Sequence, residues 1–240
     1  MSKILTYFIF LIPTLIFGQY PFEKFKAISY KSLNFKMEET NNSLEYSCTI
    51  NSFFNDKSDL EILLKGEINK FNETQLQIKT NHNSKKYIEE IPVQGTNDFY
   101  IADINGDGLD DVKIVCFYMG SGLASLNVRV IYFFQKKDKE FTKISFDDKM
   151  DENRLERDID NDGNFEIITM TFQGHKAHNY WLFNVYNYKN DNLVCVNDKI
   201  NYPIMTQLLF HDNFKITTKI SRQIMKKYEL KTPEEIHIDK

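Results

Sequence analysis

Residues 103–188 repeat themselves at a constant offset of 55, with no gap needed through the second strand of each unit. Asp103 aligns with Asp158, Ile104 with Ile159, Asp107 with Asp162, and Gly108 with Gly163. Asp111 aligns with Glu166, Val112 with Ile167, Phe117 with Phe172, and Val130 with Val185. Each unit, about 103–134 and 158–188, reads as acidic loop, strand, polar connection, strand. The expected strands are Val112–Tyr118 and Leu126–Phe134, then Ile167–Phe172 and Tyr180–Tyr188. One supersecondary unit used twice cannot bury its apolar face alone, so the rest of the chain must cover it. Two units are fewer than the ~4 blades of a closed propeller, and the length excludes that fold.

The preceding region supplies candidate cover. Leu44, Tyr46, Cys48 and Ile50 fall on one face of a period-two pattern, as do Leu60, Ile62 and Leu64, and Leu76 and Ile78. Twenty Phe and 13 Tyr in 240 residues favour strands over helices. No Pro/Gly/Ser-rich linker interrupts the chain. The expectation is a single mostly-β domain over 19–240: a compact antiparallel sheet structure, sandwich or barrel-like, built around the two acidic-loop/β-hairpin repeats. A short C-terminal helix is expected within 218–228, with Ile220, Ile224 and Tyr228 on one face. Thr232-Pro-Glu-Glu adds a helix-start signal.

The N-terminus carries a secretory signature: Lys3, an apolar run from Ile4 to Phe17, and small Gly18 before a cleavage that leaves Gln19. Residues 1–18 are therefore read as a signal peptide. The run is short for a membrane span, so no transmembrane segment is expected after its removal. Secretion, to the periplasm, the medium or the cell surface, follows. The formal charge is −4 and no basic face is clustered, which argues against nucleic acid as partner. Cys48, Cys116 and Cys195 read as buried apolar residues. One disulfide among them is a further option in an oxidising compartment.

The acidic loops carry the chemistry. Asp103, Asn105, Asp107 and Asp111 place side-chain oxygens at positions one, three, five and nine of the first loop. Asp158, Asp160, Asp162 and Glu166 do the same in the second, and each loop has Gly at position six. Calcium takes about six to eight oxygens in flexible geometry, and Gly at six permits the sharp turn around the ion. The carbonyls of Leu109 and Asn164, at position seven, add an oxygen each. Two Ca2+ sites are expected, the second tighter because it has four carboxylates against three. An EF-hand would need Glu at position twelve, where Ile114 and Thr169 stand. Magnesium prefers a rigid octahedron with retained water. The competing reading is a metal-free acidic turn held by Asx hydrogen bonds.

At these residues the chain resembles the FG-GAP/VCBS class of repeats, whose signature is Asp-x-Asn-Gly-Asp-Gly-x-x-Asp followed by a hydrophobic strand. The second loop departs from it with Asn161 for Gly and Glu166 for Asp. The resemblance covers residues 101–188 and implies calcium held between strands by the loop residues named above. A weaker resemblance is to exported bacterial lysozyme-inhibitor-type β domains, which place a similar acidic loop before a strand.

Elsewhere, Gly174-His-Lys-Ala-His-Asn-Tyr-Trp181 is the His-rich spot. It reads as a polar turn with Trp181 in the core, in preference to a transition-metal pair, because two His without a third ligand make a poor zinc site. No nucleophile–base or carboxylate pair stands apart from the loops, so no catalytic residue and no enzyme activity is expected. The leading expectation is an exported calcium-binding module that binds an envelope or extracellular protein or glycan. The alternatives are an inhibitor of a cell-wall hydrolase such as lysozyme, and a hydrolase with an unrecognised site. Contact is expected at the connections 119–125 and 174–179, with Trp181 as anchor if its ring is exposed.

Overall fold

The computed structural model describes residues 20–68, 70, 73–81, 83–150, 153–200, 204–207 and 220–240. The signal-peptide assignment at 1–18 lies outside them, as does the start of the expected C-terminal helix.

The protein is mainly β, and its principal sheets are antiparallel. A central six-stranded sheet runs in the order Glu234–Asp239, Phe141–Lys149, Asn127–Gln135, Asp111–Phe117, Thr96–Ala102, Lys31–Ser32. A five-stranded meander, from Lys36–Thr40 through Ser43–Ile50, Leu60–Glu67 and Thr74–Lys79 to Ser84–Glu89, covers one face. On the other face lies a four-stranded sheet of Ile167–His175, His178–Tyr188, Leu193–Cys195 and Ile204–Gln207. A short ribbon pairs Lys26–Ala27 with Arg157–Asp158.

Side-chain parity explains the layering. Val112, Ile114 and Cys116 join Ile131 and Phe133 in a core with Leu44, Tyr46, Leu60, Ile62, Leu64 and Leu76 of the meander. The residues between them face the other way: Val115, Val128, Val130, Tyr132 and Phe134 pack with Ile167, Tyr186 and Leu193. Strands buried on both faces need no polar face, which is why 112–118 and 128–134 read as nearly unbroken apolar runs while the meander alternates. The sandwich is thus double, with the central sheet shared.

The four repeat strands appear where expected, as Asp111–Phe117, Asn127–Gln135, Ile167–His175 and His178–Tyr188. Their hairpins differ in register. Val115 pairs with Val130, so the offset predicts Met170 opposite Val185, but Met170 pairs with Phe183. The second hairpin closes on a two-residue turn, Lys176-Ala177, while the first spans a longer connection with a 3-10 turn over Gly122–Leu126. A shift of two residues keeps every side chain on its own face, so the apolar pattern survives the slip.

Two expectations are corrected. Thr232-Pro-Glu-Glu starts no helix; Glu234–Asp239 is a strand pairing with Phe141–Lys149. Ile236 and Ile238 alternate onto the second core there, and the open edge of the central sheet satisfies the backbone. The disulfide option also fails: all three cysteines are free, with Cys48 and Cys116 buried in the first core. The short helix is present as Arg222–Met225, capped by Ser221 and continued by a 3-10 turn to Tyr228. Ile220, Ile224 and Tyr228 pack together against Tyr180 and Leu182, as their spacing predicted.

Several charges inside the sandwich are paired. Glu89 meets Arg129 at 3.1 Å and Lys143 at 2.5 Å, and Lys143 also reaches Asp239 at 2.8 Å. Lys113 meets Glu156 at 2.8 Å, both side chains at most 2% exposed. Removing one partner of such a pair strands the other charge and costs about 3–5 kcal/mol.

Candidate metal centre

Each acidic loop feeds a strand, the first from Thr96–Ala102 into Asp111–Phe117 and the second from Arg157–Asp158 into Ile167–His175. Gly108 and Gly163, at position six, have φ of +84° and +88°, and a Cβ on either would meet nothing within 4 Å. Glycine is therefore needed at six for its backbone conformation and not for space. Asn161, in place of the usual Gly, takes φ of +60°, which Asn tolerates better than most residues.

The repeat recurs as hydrogen bonds. Ile104 N–H donates to Asp111 Oδ2 at 3.0 Å, and Ile159 N–H to Glu166 Oε2 at 2.7 Å. Leu109 N–H donates to Asp107 Oδ1 at 2.9 Å, and Asn164 N–H to Asp162 Oδ1 at 2.8 Å. The position-nine acid thus ties the loop's exit to its second residue, which explains why Glu can replace Asp there.

The loops also touch each other. Phe165 N–H donates to Ile104 O at 2.9 Å, and a Cβ on Gly106 (φ +73°) would meet Gly163 O at 2.7 Å. Beside the first loop, Lys26, Lys31, Asp103, Asp110 and Phe165 line a groove of about 420 Å³.

The first loop is closed by its own amides. Asp103 accepts from Asp107 N–H at 3.1 Å and Gly108 N–H at 2.9 Å, and Asn105 Oδ1 accepts from Asp107 N–H at 3.0 Å. Asp111 is fully buried, and its Oδ1 accepts from Gln135 N–H at 2.9 Å. Burial holds the Asp111 carboxyl well above the usual carboxylate range, against the pull of these two amides. Burial also raises Asp110, with Asp103 adding to it.

The second loop converges further. Asp158, Asp160 and Glu166 bring one oxygen each within 4.8 Å of one another; among the described residues no such group forms in the first loop. Asp158 is 4% exposed, and its Oδ1 is buried without a hydrogen-bond partner. Asn164 Oδ1 is likewise unpartnered. All the donors are hard oxygens, and each carboxylate oxygen keeps a lone pair beyond its amide bond. The donor set therefore fits a hard cation such as calcium.

One residue that sequence reasoning missed enters this site. Lys199, from the turn after Leu193–Cys195, places Nζ 2.5 Å from Asp160, 2.9 Å from Glu166 and 3.8 Å from Asp162. Oriented to satisfy both neighbours, the Asn187 amide accepts from Lys199 at 3.0 Å and donates to Glu166 at 2.9 Å. Burial works against the Lys199 charge, but Asp160 and Glu166 outweigh it and hold the ammonium above its ordinary pKa. Lys199 depresses Asp160, while burial raises Glu166 in spite of it. The second loop's extra carboxylate is thus offset by a lysine lying 33 residues beyond Glu166.

The other candidate residues serve the fold. Trp181 is 3% exposed in a cluster with Ile168 and Phe183, so it anchors no external contact. His175 and His178 face each other across the tight hairpin, and His175 Nδ1 lies 3.0 Å from Tyr228 Oη. On the 119–125 connection, Met119 is 65% and Leu123 43% exposed. Comparison with protein-family models, curated proteins and solved structures yields no match to this chain.

Proposed function

We propose that the paired acidic loops bind calcium, and that the chain is an exported bacterial-type protein acting as an interaction module in the cell envelope or outside it. The observation that carries the metal reading is Asp158 Oδ1, a buried carboxylate oxygen without a partner, in a cluster with Asp160 and Glu166. A buried anionic oxygen left unsatisfied is costly, and a cation removes that cost. Because the loops abut and open directly into strands of two different sheets, calcium there would set how the central and outer sheets meet. Asp103, Asn105, Asp107, Asp111 and the Leu109 carbonyl would hold the first ion. Asp158, Asp160, Asp162, Glu166 and the Asn164 carbonyl would hold the second.

The partner, an envelope or extracellular protein or glycan, would meet the 119–125 connection, where Met119 and Leu123 are exposed. The same pair supports the second reading, an inhibitor that inserts this connection into a cell-wall hydrolase such as lysozyme. Calorimetric titration with calcium tests the metal reading, and no heat at millimolar calcium refutes it. Capture from an envelope fraction by wild type and by Met119→Ser/Leu123→Ser tests the contact. Equal capture by both assigns it elsewhere, and inhibition of lysozyme by wild type alone favours the second reading.

A further inference from the structure

At the entry to the second loop lies a largely buried cluster, its Asn153 half-buried, that metal binding does not use. Lys113 comes from the central strand Asp111–Phe117, and Asn153 and Glu156 from the segment leading into the second loop. Lys113 Nζ lies 2.6 Å from Asn153 Oδ1, 2.8 Å from Glu156 Oε1 and 2.8 Å from Arg154 O. Glu156 is itself held by two phenols, Tyr30 Oη at 2.5 Å on Oε2 and Tyr132 Oη on Oε1. Lys113, Glu156 and Tyr132 are each at most 2% exposed. A buried amine and a half-buried side-chain amide are thus held in contact, with a buried proton carrier touching the amine.

We propose that Lys113 and Asn153 form an intramolecular isopeptide bond, with Glu156 as the proton-transfer group. Lys113 passes one proton to Glu156 across their 2.8 Å contact. The freed Nζ lone pair attacks Asn153 Cγ as the amide turns its face to the amine, and the C=O electrons move onto oxygen. Glu156 relays a second Nζ proton to Nδ2, the Cγ–Nδ2 bond breaks, and ammonia leaves. The new Nζ–Cγ bond is a neutral secondary amide, and the proton first taken stays on Glu156. No oxidant or cofactor is needed. An ammonium–carboxylate pair becomes an amide and a carboxylic acid, which removes two buried charges. Holding the reacting groups in contact supplies the effective concentration the step requires. The bond would staple the central sheet to the entry of the second loop, independently of calcium.

The test is peptide mapping of the folded wild-type chain by mass spectrometry, supported by its intact mass. The expected intact mass is lower than the sequence by one ammonia. Cyclisation of an amino-terminal Gln19 loses the same mass, so the deciding readout is a branched peptide joining the Lys113 segment to the Asn153 segment. It should be present in wild type and absent from Asn153→Ala and Glu156→Gln. Linear Lys113 and Asn153 peptides from folded wild type, with no branched species, would overturn the proposal and leave the cluster an ion pair. That readout needs no variant to fold.

Discussion

Replacing Gly106 by Ala probes the contact between the two acidic loops, and Gly108→Ala is its internal control. Both glycines have left-handed φ, +73° and +84°. Forcing Ala into that region costs roughly 1–2 kcal/mol. A stiffer unfolded chain returns about 0.4–1 kcal/mol. Gly108→Ala should therefore destabilise by a net of about 1 kcal/mol, since nothing lies within 4 Å of its Cβ. At Gly106 the Cβ would sit 2.7 Å from Gly163 O, 3.0 Å from Gly163 C and 3.3 Å from Asn164 N. These are backbone atoms that cannot rotate away, so the loops must part, and overpacking of that kind adds about 1–3 kcal/mol. Urea denaturation in chelator measures both variants free of metal, with stability read from midpoints at unchanged m-value. Gly106→Ala should fall about 2–4 kcal/mol below wild type. Equal losses in the two variants would refute the packing of one loop on the other.

Other outcomes follow from the same geometry. Lys199→Met removes the ammonium between Asp160 and Glu166, so calorimetry should show tighter calcium binding than in wild type; unchanged affinity would mean that lysine and ion do not compete. Asp162→Ala should lose more calcium-dependent stability than Asn105→Ala only in the Lys199→Met background, because in wild type the lysine offsets the extra carboxylate. Burial pushes the phenols of Tyr30 and Tyr132 well above their ordinary value, and that of Tyr87 up to about 12. Folded-state values above the unfolded one of about 10 mean that the native state binds more protons there, so stability is full below pH ~10 and is lost as pH rises through the folded values. The phenolate absorbance that a Tyr30→Phe/Tyr132→Phe variant lacks should then appear in wild type only with unfolding; its appearance near pH ~10 in folded protein contradicts the burial.

Much of the fold was legible because apolar periodicity is local. Leu44 to Ile50 and Leu60 to Leu64 alternate in sequence as they do in the sheet, and the 55-residue offset located all four repeat strands. Register was not legible, because it depends on the closing turn: the Lys176-Ala177 hairpin slips the second pair by two residues with no sign in the apolar pattern. Glu234–Asp239 misled because Thr-Pro-Glu-Glu is a local helix signal, whereas the open edge at Phe141–Lys149 is a tertiary fact. The loop residues were singled out from spacing alone. Lys199, Asn187, Asn153 and Glu156 were not, since each reaches its partners across the fold. A lysine inside an apolar strand, Lys113 in Val-Lys-Ile-Val, was the one available signal that a buried partner must exist.

Thermal unfolding in chelator, in magnesium and in calcium measures the central claim, that the acidic loops bind calcium in the folded state. Ligand at ten times its dissociation constant stabilises by about 1.4 kcal/mol per site. Extracellular calcium sites have constants of roughly 10⁻⁴–10⁻³ M, so about 10 mM calcium should suffice. For a domain of this size each kcal/mol moves the Tm by about 2–4 °C. The Tm should rise by several degrees in calcium and by less in magnesium, and an Asp103→Asn/Asp158→Asn double variant that still folds should lose most of the calcium response. A Tm identical in chelator and in about 10 mM calcium would contradict it.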